Sequence, residues 1–456
     1  MTAGELQAQV LPDAHMRRPL RAWLDRLVGD VPARELAIVA GIAALGFAIR
    51  LVFVLAFRNH TLFGDEIEYN VEGRFIAHGH WLWSTTPFGF AHPTIWKAPG
   101  YPAFVGVVYS LFGSSATHAI VVQTLFGPVT IVLTWLLARR LFTPRIAVVA
   151  AAIVAVYPFA WEFETRLAAE SIVTPFTLLI LLLFLERRVT PGRAAAVGAL
   201  VGLMLLIRPS AIYLVPAFLI AWVVASGWRR GVLLTVVSVV CMCLVVLPWT
   251  IRNHHVTGSF VPISSQDQAP YGVFNNDAAR DQKLPWAWRY RTTREAKLFA
   301  ALSTPRHPSE VELRRILRNR AIDYVKAHPS SLVKAFYWNG ITRLWDVRRP
   351  GHVLDEATAT GRSRAVTGIG LAMYWVMLPL ALAGLWLFRG RRGLVLPLIA
   401  MAATASVVFT TDAVTRYRAP FEPVIVILAV AAASQLATRW SRGRARPSRP
   451  RAARAA

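Results

Sequence analysis

Two kinds of residue are scarce in this chain of 456: cysteine, which occurs twice, and acidic side chains, 25 against 50 lysines and arginines. Cys241 and Cys243 lie in the apolar run "GVLLTVVSVVCMCLVVLPW", where i,i+2 spacing on a helix points them to different faces, so neither a disulfide nor a metal site is expected. Charge of either sign is thin, at 16% of residues against 55% hydrophobic, which is too much apolar surface for soluble cores and implies a polytopic membrane protein. A formal net charge of +25 in a soluble protein would suggest nucleic acid. Here the basic residues sit in short tracts between apolar runs, which is a topology signal, and no nucleic-acid partner is read from them.

A bilayer core takes roughly 20 apolar residues as helix. Runs of that kind cover 36–57, 117–138, 144–161, 167–186, 193–208, 210–227, 231–250, 365–388, 393–410 and 419–438. The piece "YPAFVGVVYSLFG" at 101–113 is shorter and opens on a Pro-Gly-Tyr-Pro breaker, so it reads as an interfacial helix. Ten spans put every basic cluster on one side: Arg17, Arg18, Arg21 and Arg26; Arg139, Arg140 and Arg145; Arg187, Arg188 and Arg193; Arg229 and Arg230; Arg389, Arg391 and Arg392; and the tail "RWSRGRARPSRPRAARAA". Short basic loops stay in the cytoplasm, which orients the bundle.

The expected organisation is then a cytoplasmic basic leader at 1–35, unlike a cleaved signal peptide, and a membrane module at 36–250 whose first outer loop is 58–116. An extracytoplasmic lid at 252–363, C-terminal spans at 364–438 and a basic cytoplasmic tail at 439–456 complete it. Within the lid, "SEVELRRILRNRAIDYVKAHP" is patterned as an amphipathic helix capped by Ser309. The Ala/Arg-rich composition fits a bacterial inner membrane.

The remaining charges gather at the outer span ends: Asp65, Glu66 and Glu68; Lys97; Glu162, Glu164, Arg166 and Glu170; Arg208; Arg252; and Asp412, Arg416 and Arg418. Any one arginine at a span end is ordinarily an anchor that snorkels to the headgroups. The adjacent Asp65-Glu66 pair beside lipid, and Glu170 one turn inside an apolar run, are harder to explain that way. A ring of carboxylates and guanidinium groups beside lipid suits a substrate with a phosphate head, a group to activate and a greasy tail. Clustered carboxylates can also hold Mg²⁺ or Mn²⁺, although nothing in the spacing demands a metal. Arg50, inside the first span, fits a phosphate contact and a buried pair equally well.

"GDEIEYNVEGRFIAHGHWLW" followed by "KAPGYPAFVGVVYSLFG" resembles the first outer loop of the polyprenyl-phosphate-sugar-dependent glycosyltransferases of the GT-C fold, the group that contains the protein O-mannosyltransferases and the lipid A aminoarabinose transferases. "RLAAESIVTPFTLLILLLFLERR", "LMLLIRPSAIYLVPAFLIAW", "LPWTIRNHHVTGSFVPIS" and "TRYRAPFEPVIVILA" extend the resemblance over most of 36–438. It implies an all-α, GT-C-type bundle that moves a sugar from a polyprenyl-phosphate donor to an acceptor hydroxyl on a lipid, polysaccharide or protein at the outer face, usually with inversion. It further implies Asp65 as catalytic base with Glu66 its neighbour, Tyr69 as a loop aromatic, Lys97 before the proline turn, and Glu170 as a second acid by the site. Arg208, Arg252, Arg416, Arg418 and Lys97 are the cations available for the departing phosphate. The chain has Glu68 where the aminoarabinose transferases have an arginine, and Trp96 where they have a glutamate, so sugar and acceptor stay open. A lipid-linked-sugar flippase or transporter, or a polysaccharide polymerase, is the alternative; a repeat of two halves, which would favour a transporter, is not visible.

Overall fold

A computed structural model describes residues 29–58, 61–86, 88–185, 189–265, 309–390, 401–402 and 415–444. The basic leader up to residue 28, most of the expected span 393–410, Asp412 and the tail beyond 444 lie outside the described residues. The described chain is a helical bundle, and its one strand pairing is a two-residue antiparallel bridge, Trp83–Ser84 against His92–Pro93.

Helix α1 (Ala33–Ala56) is long and apolar enough to cross a membrane, with Arg50 the charge within its apolar stretch. After it come α2 (Asp65–Ala77), the bridge, α3 (Gly100–Phe112), and α4 and α5 (Ala116–Gln123 and Phe126–Leu141), which together make one long apolar rod. Helix α3 has 13 residues, too few to cross, in line with an interfacial role for 101–113. The expected span 144–161 is broken. Helix α6 (Pro144–Val156) stops at Tyr157, and α7 (Pro158–Trp161) with the 3₁₀ turn Glu162–Thr165 departs at 76°. Pro158 lacks the N–H that would continue α6 and forces Tyr157 out of the helical region.

Helices α8 (Glu170–Phe184), α9 (Pro191–Ile207), α10 (Leu214–Ser226) and α11 (Trp228–Thr257) follow. The last runs seven residues past the expected end at 250 and closes on Gly258 in the left-handed region. Helices α9 and α11 approach closely at Gly198, where a Cβ would overlap the Ser238 backbone. In the outer segment lie α12 (Glu310–Ala327, capped by Ser309 as expected), α13 (Ser330–Ala335), a π-helical stretch Phe336–Arg343 and α14 (Pro350–Ala359). Helix α15 (Arg364–Leu387), a 3₁₀ turn Thr415–Phe421 and α16 (Glu422–Arg444) complete the bundle. Among the described residues, six helical rods are long and apolar enough to cross a membrane, or seven with the bent pair, and α8 and α9 are shorter apolar helices.

Arg50 is fully buried in α1, and its guanidinium is a structural bolt. It pairs with Glu164 on the bent element and donates to the Gly46 and Ala155 carbonyls at 2.9 and 3.2 Å. A buried charge so held ties α1 to the break in the α6–α7 rod, and removing either partner would strand the other.

Candidate active site

Gly64, at φ +57°, turns the chain into α2, a conformation open to glycine without strain. Asp65, Glu66 and Glu68 therefore fall in a first helical turn, where unpaired N–H groups favour negative charge. Asp65, Glu68 and Tyr69, three and four apart, share a face. Lys97 meets that face from the loop before the proline turn. Its ammonium lies 2.6 Å from Asp65 Oδ1, 2.7 Å from Glu68 Oε2 and 5.3 Å from the centre of the Tyr69 ring. Arg416, from the 3₁₀ turn Thr415–Phe421, donates to Asp65 Oδ2 at 2.5 Å. Asp65 is thus held between two cations while 22% of its side chain remains open.

Burial acts to raise the Asp65 carboxyl, but the Arg416 and Lys97 charges outweigh it and hold the group well below the usual carboxylate range. Glu68 moves the other way: burial, reinforced by the Asp65 charge, outweighs the shared Lys97. Burial, then the Asp65 charge, also pushes the Tyr69 phenol up and keeps it neutral.

Glu170 begins α8 and takes a hydrogen bond from Arg208, which sits at the break between α9 and the 3₁₀ turn Pro209–Tyr213. The Arg208 guanidinium stacks 4.3 Å from the Tyr417 ring, and Arg416 Nε stands 3.8 Å from Glu170. Arg208 and Arg416 both line one cleft, whose other walls include Val173, Met204, Leu214, Tyr417 and Phe421. Two guanidinium groups at the head of an apolar cleft can bind a phosphate carried on a hydrocarbon chain.

The structure brings together Asp65, Tyr69, Lys97, Glu170, Arg208 and Arg416. It places the other expected site residues beside that group. Glu66 takes hydrogen bonds from Nε and Nη2 on one edge of the Arg166 guanidinium and from the Phe63 and Leu167 N–H groups at 2.9 and 3.2 Å, a saturated clamp that fixes the start of α2. Arg252, on α11, donates to the Thr94 and Leu82 carbonyls at 2.6 and 3.3 Å and so grips the first outer loop by its backbone. Arg418 is buried in a second cluster, bonded to Glu422, Asp346 and the Leu344 carbonyl and stacked 3.8 Å from the Tyr374 ring. It anchors the turn from which Arg416, two residues earlier, reaches Asp65.

Two acids in this neighbourhood had no distinguishing sequence signal beyond helical spacing. Glu72, four residues after Glu68, is fully buried, and neither of its oxygens has a hydrogen-bond partner among the described residues. Glu310, the first residue of α12, is bonded into the first outer loop. As for a metal, no three His, Cys, Asp or Glu side chains converge on one point among the described residues. Between Asp65 and Glu68 the Lys97 ammonium already occupies the place a cation would take.

The bundle and its first outer loop define a membrane protein with the GT-C fold. Residues 92–251 match the sequence model of the family described as dolichyl-phosphate-mannose-protein mannosyltransferase. The oligosaccharyltransferase AglB of Archaeoglobus fulgidus, solved with an inhibitory peptide and a dolichol-phosphate, superposes with a TM-score of 0.52 at 17% identity, over 91% of this chain and 51% of that one. A second structure of the A. fulgidus oligosaccharyltransferase, tethered to an acceptor peptide, gives 0.52 at 15% identity, over 90% and 50%. The chain therefore spans about half the length of these archaeal enzymes. ArnT of Cupriavidus metallidurans, solved bound to undecaprenyl phosphate, gives 0.40 at 17% identity, over 90% and 79%. No curated protein matches the chain by sequence.

Proposed function

We propose that this chain is a membrane glycosyltransferase that moves a sugar from a polyprenyl-phosphate donor to an acceptor hydroxyl, with inversion, at the extracytoplasmic face of a bacterial inner membrane. The observation that carries this reading is a partly open carboxylate, Asp65, held by Lys97 and by Arg416, which together with Arg208 lines an apolar cleft. The family match over 92–251 and the dolichol-phosphate named for the AglB structure point the same way. The chemistry proposed needs no metal step.

An aspartate paired with two cations is a weak base, so something must loosen it. The donor phosphate supplies that. Entering the cleft, it competes for Arg416 and Arg208, and as Arg416 shifts toward it Asp65 Oδ2 is released while Lys97 keeps Oδ1 in place. The acceptor O–H then gives its proton to Asp65, its oxygen bonds to the anomeric carbon from the face opposite the phosphate, and the anomeric C–O bond breaks with its electron pair going to the polyprenyl phosphate. Arg208 and Arg416 meet the charge that develops there. Glu170 holds both guanidinium groups near the cleft, and Glu66, Arg252 and Arg418 position the segments that carry the reacting groups. Sugar and acceptor class stay open.

The test is Asp65→Asn in the full chain, assayed for release of polyprenyl phosphate from a panel of lipid-linked sugars. Turnover should fall by about 10²- to 10⁴-fold, the usual contribution of a general base, with insertion and thermal stability kept. Turnover equal to the wild type would remove Asp65 from the base role.

A further inference from the structure

We propose that Glu310 is a positioning residue for the Asp65 site: it fixes the course of residues 92–97 and thereby the place of the Lys97 ammonium. The functional meaning of that placement rests on the glycosyltransferase reading above.

A carboxylate at the start of a helix ordinarily serves its own helix. Here Ser309 does that work, accepting the Glu312 N–H at 3.2 Å, and leaves the Glu310 carboxylate to reach into the first outer loop. Both of its oxygens are doubly occupied. His92 Nε2 and the Thr94 hydroxyl lie 2.9 and 2.6 Å from Oε1, while the Ile95 N–H and the Ser265 hydroxyl lie 3.0 and 3.1 Å from Oε2. The grip then travels along the chain. The Thr94 hydroxyl, donating to Glu310, accepts the Trp96 N–H at 2.9 Å. On the other side Arg252 holds the Thr94 carbonyl at 2.6 Å, and the Ser265 N–H holds the Ile95 carbonyl at 2.8 Å.

The next residue is Lys97. Its side chain is 4% exposed and its ammonium serves two carboxylates at 2.6 and 2.7 Å. Lysine has a long, rotatable stem, so its aim depends on where its backbone is fixed. Both acids sit on α2, so a shift of the 92–97 backbone moves the ammonium relative to the two of them together. The carboxylate of a distant helix therefore sets the cation that orients the proposed base.

The test reads Lys97 directly and needs no sugar substrate. The full chain in lipid nanodiscs is treated with acetic anhydride, and acetylation of each lysine is followed by mass spectrometry. In the wild type, Lys97 should react far more slowly than the exposed Lys326 and Lys334. In Glu310→Gln, where the amide nitrogen cannot accept the bonds that a carboxylate oxygen takes, Lys97 should react about tenfold faster with the two control lysines unchanged, the mark of a local opening. Thr94→Val, nearly the same shape without the hydroxyl, should do the same, and Thr94→Ser should restore protection. It also carries the test if Glu310→Gln does not fold. Lys97 as protected as in the wild type in a folded Glu310→Gln or Thr94→Val chain would overturn the proposal, as would equal acceleration of all three lysines. Because acetylation is independent of transfer, an active Asp65→Asn enzyme would defeat the proposed function while leaving this result standing.

Discussion

Glu72 is the least satisfied side chain on α2, a fully buried carboxyl with no hydrogen-bond partner among the described residues. Its burial, with the neighbouring Glu68 charge next in weight, pushes it well above the usual carboxylate range against the pull of Lys97. The folded chain therefore keeps a proton that the unfolded chain gives up. Stability is unaffected below the ordinary glutamate range and falls as pH rises from about 4.5 toward the raised folded value. Glu72→Gln, neutral at every pH, should gain stability over the wild type as pH rises, read as a widening gap between their thermal midpoints in detergent. A gap that is constant or narrows with pH would mean that Glu72 is charged in the fold. Arg208 makes a second prediction. Arg208→Lys keeps a positive charge for Glu170, and with it the fold, but loses the planar fork and the stacking on Tyr417. The donor KM should rise about tenfold or more, as expected for a charged hydrogen bond of roughly 1.5–3 kcal/mol, and kcat should fall as well, because Arg208 also meets the charge that develops on the departing phosphate. An unchanged KM would make Arg208 a helix anchor. The gathering of Asp65, Lys97, Glu170, Arg208 and Arg416 was legible in the sequence, because charges are few in so apolar a chain and these five end spans on one side. Glu72 and Glu310 were not, since both lie in polar helices where a charged residue is unremarked.

At the level of elements, hydropathy located the helices but not their bends. The run 144–161 is apolar on both sides of Tyr157-Pro158, so only the proline marks the 76° break, and composition alone reads one straight span. Helix α11 outruns its apolar stretch for the opposite reason. Arg252, Asn253 and the two histidines after them look like a loop, yet they continue the helix because Asn253 bonds the Val261 and Ile263 carbonyls and Arg252 the first outer loop. Packing depends on small residues where helices touch. Gly198→Val would drive a branched side chain into the Ser238 backbone and separate α9 from α11. It should destabilise the bundle by about 1–3 kcal/mol, seen as a lower thermal midpoint, whereas Gly192→Val, with nothing near its Cβ position, should leave the midpoint unmoved. Equal midpoints for the two variants would show that the approach at Gly198 is looser than drawn.

For the whole molecule, the proposed orientation rests on the basic tracts, which would put the ring around Asp65 on the outer side. His80 is exposed just after α2 on the same loop, which makes that orientation testable. A single cysteine placed by His80→Cys, in a chain with Cys241 and Cys243 changed to alanine, should react with a membrane-impermeant thiol reagent on intact cells. Reaction only after the membrane is opened would put the ring on the cytoplasmic side. The grip of Arg416 and Lys97 on Asp65 has a consequence for economy of substrate. An energy-rich lipid-linked sugar must be shielded from water, which is always present and always small enough to attack. A resting aspartate occupied on both oxygens cannot activate a water molecule, and once the donor has freed Oδ2 the Lys97 ammonium still covers Oδ1 and leaves one oxygen for one hydroxyl. Arg416→Ala, which loses a phosphate ligand along with the grip, should therefore lower transfer and loss of sugar to water together.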